Sequence, residues 1–174
     1  MVLPGADVLY GPQNAVLDAA RAAGAAVVYV NDHHRPSLTR DREFLKRMPH
    51  CIGGTWGAGI VDALEPKPGD LEVLKHRYSG FFQTDLDLTL KDNGITTVVV
   101  MGVVTNICVR STVHDAFFLG YSVVVPADCV AATGPREQES SLYDIGTHFG
   151  WVTGSSHVVA SLSTGVPVGN EIDE

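Results

Sequence analysis

The sequence predicts an α/β fold, a three-layer α/β/α sandwich built around a mostly parallel, Rossmann-like sheet. Short β-branched runs alternate with amphipathic stretches along the 174 residues, and no internal repeat or linker interrupts this alternation. The runs at 95–100 and 121–125 are almost continuously apolar, which is typical of parallel strands that are buried on both faces. A chain of this length suits a single core, so we expect residues 1–174 to form one domain.

The predicted strands are short apolar runs that are rich in β-branched residues. They are Ala25–Val30, Leu71–Leu74, Ile95–Val100, Tyr121–Val125 and, as the shortest, Trp151–Thr153. Strands that alternate with helices imply right-handed βαβ units, and such units place the strands parallel to one another.

The predicted helices fill the stretches before and between these strands. They are Gln13–Ala23, Ala58–Leu64, Asp85–Asp92, Asn106–Leu119 and Glu137–Phe149. The first begins just after Pro12 and stops at Gly24, which is the usual asymmetry of proline at a helix start and glycine at its end. Gly94 follows the third and suits a left-handed cap.

Composition and charge exclude several classes of partner and location. The formal net charge is −8, and no cluster of Lys and Arg is long enough to follow a phosphate backbone, so we expect neither nucleic acid nor a membrane as partner. No apolar run approaches the roughly 18 to 20 residues of a membrane helix, and the amino terminus lacks the features of a secretory signal. The odd number of cysteines (Cys51, Cys108 and Cys129) favours free thiols, a reducing compartment and a cytoplasmic protein.

Cys108 is the first candidate for chemistry, because ligands of a parallel α/β sheet gather at the carboxyl ends of its strands. It follows the predicted strand 95–100 and falls in the first turn of the next helix. Free N–H groups and the helix dipole at that position favour a thiolate and are able to hold an oxyanion. The alternative is that Cys108 is a small buried hydrophobe, as most free cysteines are.

Lys75 ends another predicted strand at the same edge of the sheet. An ammonium beside a thiol would stabilise the thiolate and could pass a proton to a leaving nitrogen. The alternative is a side chain that reaches past the apolar strand into solvent.

Asp32, His34 and His50 have the residue types of a divalent metal site. Two imidazoles and a carboxylate suit Zn, Fe or Mn, so a divalent metal is possible here, although we expect the chemistry to require no cofactor. The alternative is a polar loop with solvated histidines.

Three segments resemble a known family, the isochorismatase-like cysteine hydrolases. The signature of that family resembles VVVMGVVTNICVRSTVHDAFFLGYSVVVPADCVAA (98–132), and its lysine segment resembles LKHRYSGFFQTDLDLTL (74–90). The loop PHCIGGTWGA (49–58) resembles one shared by nicotinamidases and by ureide and carbamoyl amidohydrolases. The resemblance runs from about residue 2 to about residue 160 and so covers most of the chain.

The resemblance implies a catalytic triad of Asp, Lys and Cys, in which Cys108 matches the nucleophile and Lys75 the lysine. It also implies a non-proline cis peptide bond between Val103 and Val104, which would turn the Val104 N–H into an oxyanion hole shared with the N–H of Cys108. Nicotinamidases of this family bind a metal through positions that match Asp32, His34 and His50.

The family's aspartate lies at the end of its first strand, just before a Pro-Gly loop. VLPGA (2–6) resembles that loop, so the printed sequence starts just after the motif. The resemblance therefore implies that residues 1–174 lack the family's first strand and its aspartate. The absence of a central strand would expose an edge of each neighbouring strand.

The expected function is the cysteine-dependent hydrolysis of a C–N bond in a small amide, ureide or carbamoyl compound through a covalent acyl-enzyme. Candidate substrate contacts are Trp56, Phe81, Phe82 and Thr105. One alternative is a metal-containing nicotinamidase, and another is a non-catalytic binding or assembly relative without the triad aspartate. The expected partners are a small-molecule substrate and, from the resemblance, further copies of the chain in a dimer or tetramer.

Overall fold

A computed structural model describes residues 3–37 and 40–169. Within them the strands are β1 (Val28–Asp32), β2 (Leu71–Lys75), β3 (Thr97–Val99), β4 (Gly102–Val103), β5 (Ser122–Pro126), β6 (Val130–Ala131) and β7 (Trp151–Thr153). The α-helices are α1 (Tyr10–Ala22), α2 (Leu86–Asp92), α3 (Arg110–Phe118), α4 (Pro135–Asp144) and α5 (Ser155–Thr164). No helix in these ranges is long and apolar enough to cross a membrane.

Every strand pairing is parallel, which confirms the predicted α/β class. β1 pairs with β2, with Asp32 opposite Lys75 at the carboxyl end. β5 lies between β3 and β7, and β4 pairs with β6. No strand pairing in the described residues joins β1 to β3, so the sheet is divided between these two strands.

The side chains of β5 show why the fold has three layers. Successive residues of a strand point to opposite faces of the sheet. Val123 and Val125 pack into the larger apolar cluster, which holds residues of α2 and α3, whereas Val124 packs against Val16 of α1 and Val158 of α5. One helical layer therefore covers each face.

The predicted helix Ala58–Leu64 is wrong. The structure has two short 3-10 turns there, Trp56–Ala58 and Asp62–Leu64. Gly59 caps the first turn in an extended conformation, and glycine weakens a helix because it gives up more backbone freedom than other residues do.

Other boundaries differ from the prediction in ways that affect the site. β1 extends to Asp32, so the aspartate ends the strand rather than following it. The helix that carries Cys108 opens one residue earlier than predicted, as a π-helix over Thr105–Val109, and continues as α3. The predicted helix 137–149 is α4 followed by a π-helix at Ile145–Phe149. Helix α5, which the sequence analysis did not predict, ends at Thr164, and the next residue, Gly165, lies in the left-handed region.

Candidate active site

The carboxyl ends of the strands bring Asp32, Lys75 and Cys108 together. Asp32 and Lys75 are the last residues of two paired strands and lie opposite each other, and Cys108 lies in the π-helix that follows β4. Nζ of Lys75 is 3.2 Å from Oδ1 of Asp32 and 4.0 Å from Sγ of Cys108. The ammonium therefore lies between a carboxylate and a thiol.

Lys75 is buried, and the structure excludes the alternative in which its side chain reaches into solvent. The residue is 5% exposed, and its ammonium also donates to the carbonyl oxygen of Arg77 at 3.1 Å. A buried ammonium needs a counter-charge to offset its loss of hydration, and Asp32 supplies one.

The electrostatics of Cys108 differ from the expectation that its position at a helix start favours a thiolate. The residue is partly buried, and burial raises the pKa of its thiol above the ordinary value. The charge of Lys75 acts in the opposite direction, but the Asp32 carboxylate also raises this pKa. In this arrangement the lysine reduces the cost of ionising the thiol without removing it.

Val104 lies beside the thiol. The peptide bond between Val103 and Val104 is cis, as the resemblance implied. The backbone N–H of Val104 interacts with the Cys108 thiol and lowers its pKa. The Val104 N–H, one of the two groups expected in the oxyanion hole, therefore lies next to the thiol.

A second cluster of polar groups adjoins Asp32. One ligand atom from each of Asp32, His34, Glu43 and His50 can be chosen so that all four lie within 4.8 Å of one another. Nε2 of His34 lies 3.8 Å from Oδ1 of Asp32 and 3.6 Å from Oε2 of Glu43, and Nε2 of His50 lies 3.9 Å from Oδ2 of Asp32. The three residues predicted as metal ligands are thus brought together, and Glu43, which the sequence analysis missed, joins them.

Several atoms of this cluster are buried without a hydrogen-bond partner in the described part of the chain. They are Nε2 of His34 and both carboxylate oxygens of Glu43, whereas Oδ1 of Asp32 faces the ammonium of Lys75 at 3.2 Å. Each such atom costs the fold roughly 1 to 3 kcal/mol if nothing satisfies it. Carboxylates and imidazoles are the ligands that Zn, Fe and Mn accept, so the residues present fit a divalent cation.

Burial also affects the protonation of Glu43. It raises the pKa of the Glu43 carboxyl, and the neighbouring Asp32 carboxylate raises it further. A cation among these groups would oppose both effects, because it favours the ionised form of each carboxyl.

Asp41 holds His34 in position. Oδ2 of Asp41 lies 2.9 Å from Nδ1 of His34, and Oδ1 accepts from the backbone N–H of Glu43 at 3.0 Å. Burial alone would raise the pKa of Asp41, but these two hydrogen bonds, together with the charge of Arg77, lower it below the ordinary value. Because Asp41 contacts Nδ1 of His34, the other ring nitrogen, Nε2, faces the cluster. Carboxylates commonly hold metal-bound histidines in this way.

The sequence contained a local signal for the turn that carries Asp41 and Glu43, but none for the burial of their side chains. An aspartate whose side chain accepts from the backbone N–H two residues later is a common way to start a helical turn, and Asp41 caps the 3-10 turn Arg42–Leu45 in this way. Glu43 lies buried in this turn.

The predicted substrate contacts differ in their exposure and in whether they line the cavity next to Cys108. Phe81 lines the cavity next to Cys108 and stacks on Tyr121 with ring centroids 5.7 Å apart. Trp56 is 85% exposed, Phe82 is 50% exposed, and neither lines that cavity. Thr105 is 0% exposed, and its hydroxyl has no hydrogen-bond partner among the residues described. Trp56 lies in a turn beside Gly57 and Gly59, which offer it no apolar side chain to pack against.

Comparisons with known proteins show the family to which the chain belongs. The model of the isochorismatase domain family matches residues 4–157. A ureidoacrylate amidohydrolase, RutB, from Rhizobium rhizogenes is 36% identical over 173 residues, which cover 87% of this chain and 69% of that protein. RutB from Pantoea ananatis is 39% identical over 158 residues, which cover 80% of this chain and 63% of that protein. The chain therefore spans about two thirds of the length of these relatives.

Solved structures of two relatives are also similar. The N-carbamoylsarcosine amidase from Thermoplasma acidophilum is 37% identical, with a TM-score of 0.78, over 88% of this chain and 86% of that one. The nicotinamidase PncA from Bacillus subtilis is 28% identical, with a TM-score of 0.74, over 82% of this chain and 83% of that one.

Proposed function

We propose that this chain, which belongs to the isochorismatase domain family, hydrolyses a C–N bond of a small ureide or carbamoyl compound with Cys108 as nucleophile. The named relatives are amidohydrolases, and the coarse class of the reaction follows from them. The observation that carries the finer proposal is the position of the Lys75 ammonium, 4.0 Å from Sγ of Cys108 and 3.2 Å from Asp32.

In the proposed reaction the Cys108 thiolate attacks the carbonyl carbon of the substrate. The N–H groups of Val104 and Cys108 bind the oxygen that becomes negative. The Lys75 ammonium gives a proton to the leaving nitrogen and regains one from the thiol, and the C–N bond breaks to give a thioester and a free amine or ammonia. Water then attacks the thioester, which releases the acid and restores the thiol.

The proposed substrate class rests on the relatives. The proteins most similar in sequence carry the names of enzymes for ureidoacrylate, and a similar structure is that of an enzyme for N-carbamoylsarcosine. Each of these names describes a carbamoyl group on nitrogen, so we place this chain with ureides first and with nicotinamide second.

The polar cluster supports a second candidate, a metal-containing nicotinamidase. Asp32, His34, Glu43 and His50 would hold the cation, and their buried unpartnered atoms are the observation that favours it. A bound divalent cation would supply a Lewis acid that polarises a group of the substrate. Metal analysis tests this candidate, since a stoichiometric Zn, Fe or Mn that is lost in His50→Ala would support it.

A screen for ammonia release tests the hydrolase proposal. Ureidoacrylate, N-carbamoylsarcosine and nicotinamide are offered to the wild type, to Cys108→Ala and to the matched control Cys51→Ala. We expect release from a ureide that falls at least 1,000-fold in Cys108→Ala and stays near the wild-type rate in Cys51→Ala, as is typical when a nucleophile is removed. Equal activity in all three proteins would refute the role of Cys108.

A non-catalytic relative that binds or assembles is the remaining alternative. If the wild type hydrolyses none of these compounds, this alternative replaces the proposal.

A further inference from the structure

Three polar residues lie along one side of the helix that follows β4. Cys108, Thr112 and Asp115 follow one another at intervals of four and three residues, which is the spacing of neighbours on a single helix face. Cys108 lies in the π-helix, and the other two lie in α3. The reaction proposed for Cys108 leaves Thr112 and Asp115 without a role.

Residues 76–81, which we call the linking segment, lead away from Lys75 at the end of β2. The ammonium of Lys75 donates to the carbonyl oxygen of Arg77 in this segment at 3.1 Å. The position of the linking segment therefore affects the position of the ammonium. In the described part of the chain β2 and β4 are not paired with each other, so strand pairing between them does not set the distance from Lys75 to Cys108.

The hydroxyl of Thr112 joins the linking segment to the turn that carries Cys108. It accepts from the backbone N–H of Gly80 at 2.9 Å and donates to the carbonyl oxygen of Cys108 at 2.8 Å. A hydroxyl is able to do both at once because it has one donor and two acceptor sites. A Cβ on Gly80 would lie 3.0 Å from Cγ1 of Val30 and 3.4 Å from Cγ2 of Thr112, so the segment is tightly packed at this bond.

Asp115 makes a second bond to the linking segment. Its Oδ2 accepts from the hydroxyl of Ser79 at 2.5 Å, and the Ser79 oxygen accepts in turn from the backbone N–H of Phe81 at 3.1 Å. Hydroxyl bonds to a carboxylate are typically roughly 2.5 to 2.7 Å long and are stronger than bonds between neutral groups. Ser79 is buried, so water competes little for this bond.

We propose that Thr112 and Asp115 are positioning residues, which act through the linking segment to hold the Lys75 ammonium at its distance from Sγ of Cys108. These roles rest on the function proposed above, in which Lys75 exchanges protons with that thiol and with the leaving nitrogen. The alternative is a structural role, in which the two side chains stabilise the packing of the segment on α3 and do not affect the thiol.

The distance matters because the charge of Lys75 lowers the pKa of the Cys108 thiol. The Coulomb attraction falls with separation, and Nζ lies 4.0 Å from Sγ. At an effective dielectric constant of about 20, a retreat of the ammonium to about 6 Å would lower the thiolate fraction roughly tenfold at a pH below the thiol pKa. A smaller retreat gives a smaller decrease.

Alkylation of Cys108 by iodoacetamide at pH 8 tests these roles without reference to hydrolysis. The proteins carry Cys51→Ser and Cys129→Ser, so that Cys108 is the one thiol left. Thr112→Val nearly keeps the volume of the side chain and removes the hydroxyl, so it should slow alkylation about three- to tenfold. Thr112→Ser restores the hydroxyl and should react within about twofold of the protein with threonine. Equally slow reaction of both variants would overturn the proposal.

Thr164→Val is the matched control. The hydroxyl of Thr164, in α5, donates to the carbonyl oxygen of Ala160 at 2.8 Å and accepts from the backbone N–H of Val166 at 3.3 Å. The control therefore loses the same kinds of bond outside the site, and alkylation of Cys108 should stay unchanged. A decrease as large as that in Thr112→Val would overturn the proposal, because the effect would then come from a general disturbance of the fold.

Lys75→Met distinguishes a positioning role from a structural one. If Thr112 acts on the thiol only through the ammonium, Thr112→Val should change alkylation less than about twofold in the Lys75→Met background. Slowing by the same factor with and without the ammonium would overturn the proposal, because Thr112 would then act on Cys108 directly. An unchanged rate in Lys75→Met alone would overturn it as well, since the ammonium would then have no influence that depends on its position.

Ser79→Ala tests the second bond, and it also serves if Thr112→Val does not fold. It removes the hydroxyl that Asp115 binds and leaves Thr112 in place. We expect alkylation to slow about threefold when Lys75 is present and to change less than about twofold in the Lys75→Met background. An unchanged rate in the presence of Lys75 would refute the role of Asp115.

The kinetics of hydrolysis separate a failure of these roles from a failure of the proposed function. On a ureide that the wild type hydrolyses, Thr112→Val should lower kcat and leave KM nearly unchanged, because it affects proton transfer rather than binding. A raised KM with an unchanged kcat would overturn the positioning role. If the wild type hydrolyses none of the compounds, the proposed function fails, and the alkylation rates alone decide whether Thr112 and Asp115 position Lys75.

Discussion

Replacing Lys75 by methionine should slow the alkylation of Cys108. The methionine keeps most of the volume of the buried side chain and removes the ammonium that lies 4.0 Å from Sγ. Because burial already raises the pKa of this thiol, the loss of the ammonium raises that pKa further and leaves less thiolate at any pH below it.

The size of the effect follows from the distance. At an effective dielectric constant of about 20, unit charges 4 Å apart interact with about 4 kcal/mol. Asp32 lies 3.2 Å from the same ammonium and opposes its influence on the thiol, so a part of this value remains. We therefore expect the ammonium to stabilise the thiolate by roughly 1.4 to 2.8 kcal/mol, so that its removal makes alkylation about 10 to 100 times slower.

The assay is the rate of iodoacetamide modification from pH 7 to pH 10 in a background of Cys51→Ser and Cys129→Ser. In the otherwise unchanged protein the rate should still rise with pH beyond the ordinary thiol pKa of about 8.5, since the pKa of Cys108 is raised. Lys91→Met is the matched control, because Lys91 is an exposed lysine that pairs with Asp87. An unchanged or faster rate in Lys75→Met would refute the electrostatic role given to this lysine.

Three further predictions concern stability, and urea denaturation checks each. Burial raises the pKa of Glu43, so its ionised side chain lowers the free energy of unfolding of the cation-free protein at neutral pH. Glu43→Gln should therefore raise the free energy of unfolding at this pH by roughly 1 kcal/mol. Destabilisation in the presence of a chelator would contradict this. Arg21 holds the pKa of Asp70 below its ordinary value through contacts of 3.2 and 2.6 Å, so Asp70→Asn should cost stability above about pH 5, and this cost should vanish as the pH falls through the lowered pKa. A cost that is equal at pH 7 and pH 3 would count against the ion pair. Phe81→Ala removes a ring that stacks on Tyr121 and should lower the free energy of unfolding by roughly 3 kcal/mol. A decrease below 1 kcal/mol would show that this ring contributes little packing energy.

The positions of Cys108 and Lys75 could be predicted because they depend on a property that the sequence displays. Apolar β-branched runs indicate parallel strands, and the residue after each run then lies at the common carboxyl edge. Asp32 and Lys75 meet because their strands pair in register, and the sequence analysis did not predict this contact.

Glu43 and Asp41 could not be predicted in the same way. They lie in a segment rich in charged residues and without helical or strand periodicity, where most charges face solvent. Burial of these two carboxylates depends on how the loop packs over His34, which is a tertiary contact. The raised pKa of Cys108 escaped prediction for the same reason, since desolvation is decided by side chains that are distant in sequence.

Asp32 connects the polar cluster with the thiol, and this connection yields one more prediction. Its carboxylate is 3.2 Å from Lys75 and 3.8 and 3.9 Å from the ring nitrogens of His34 and His50. A cation held by the histidines would attract this carboxylate and so weaken its opposition to the Lys75 ammonium at Cys108. Addition of Mn²⁺, a metal that thiols bind poorly, should therefore speed alkylation of Cys108 in the wild type. Asp32→Asn removes the opposing charge outright, so it should speed alkylation without metal and abolish the response to Mn²⁺. A response of equal size in both proteins would show that the cation reaches the thiol by another route.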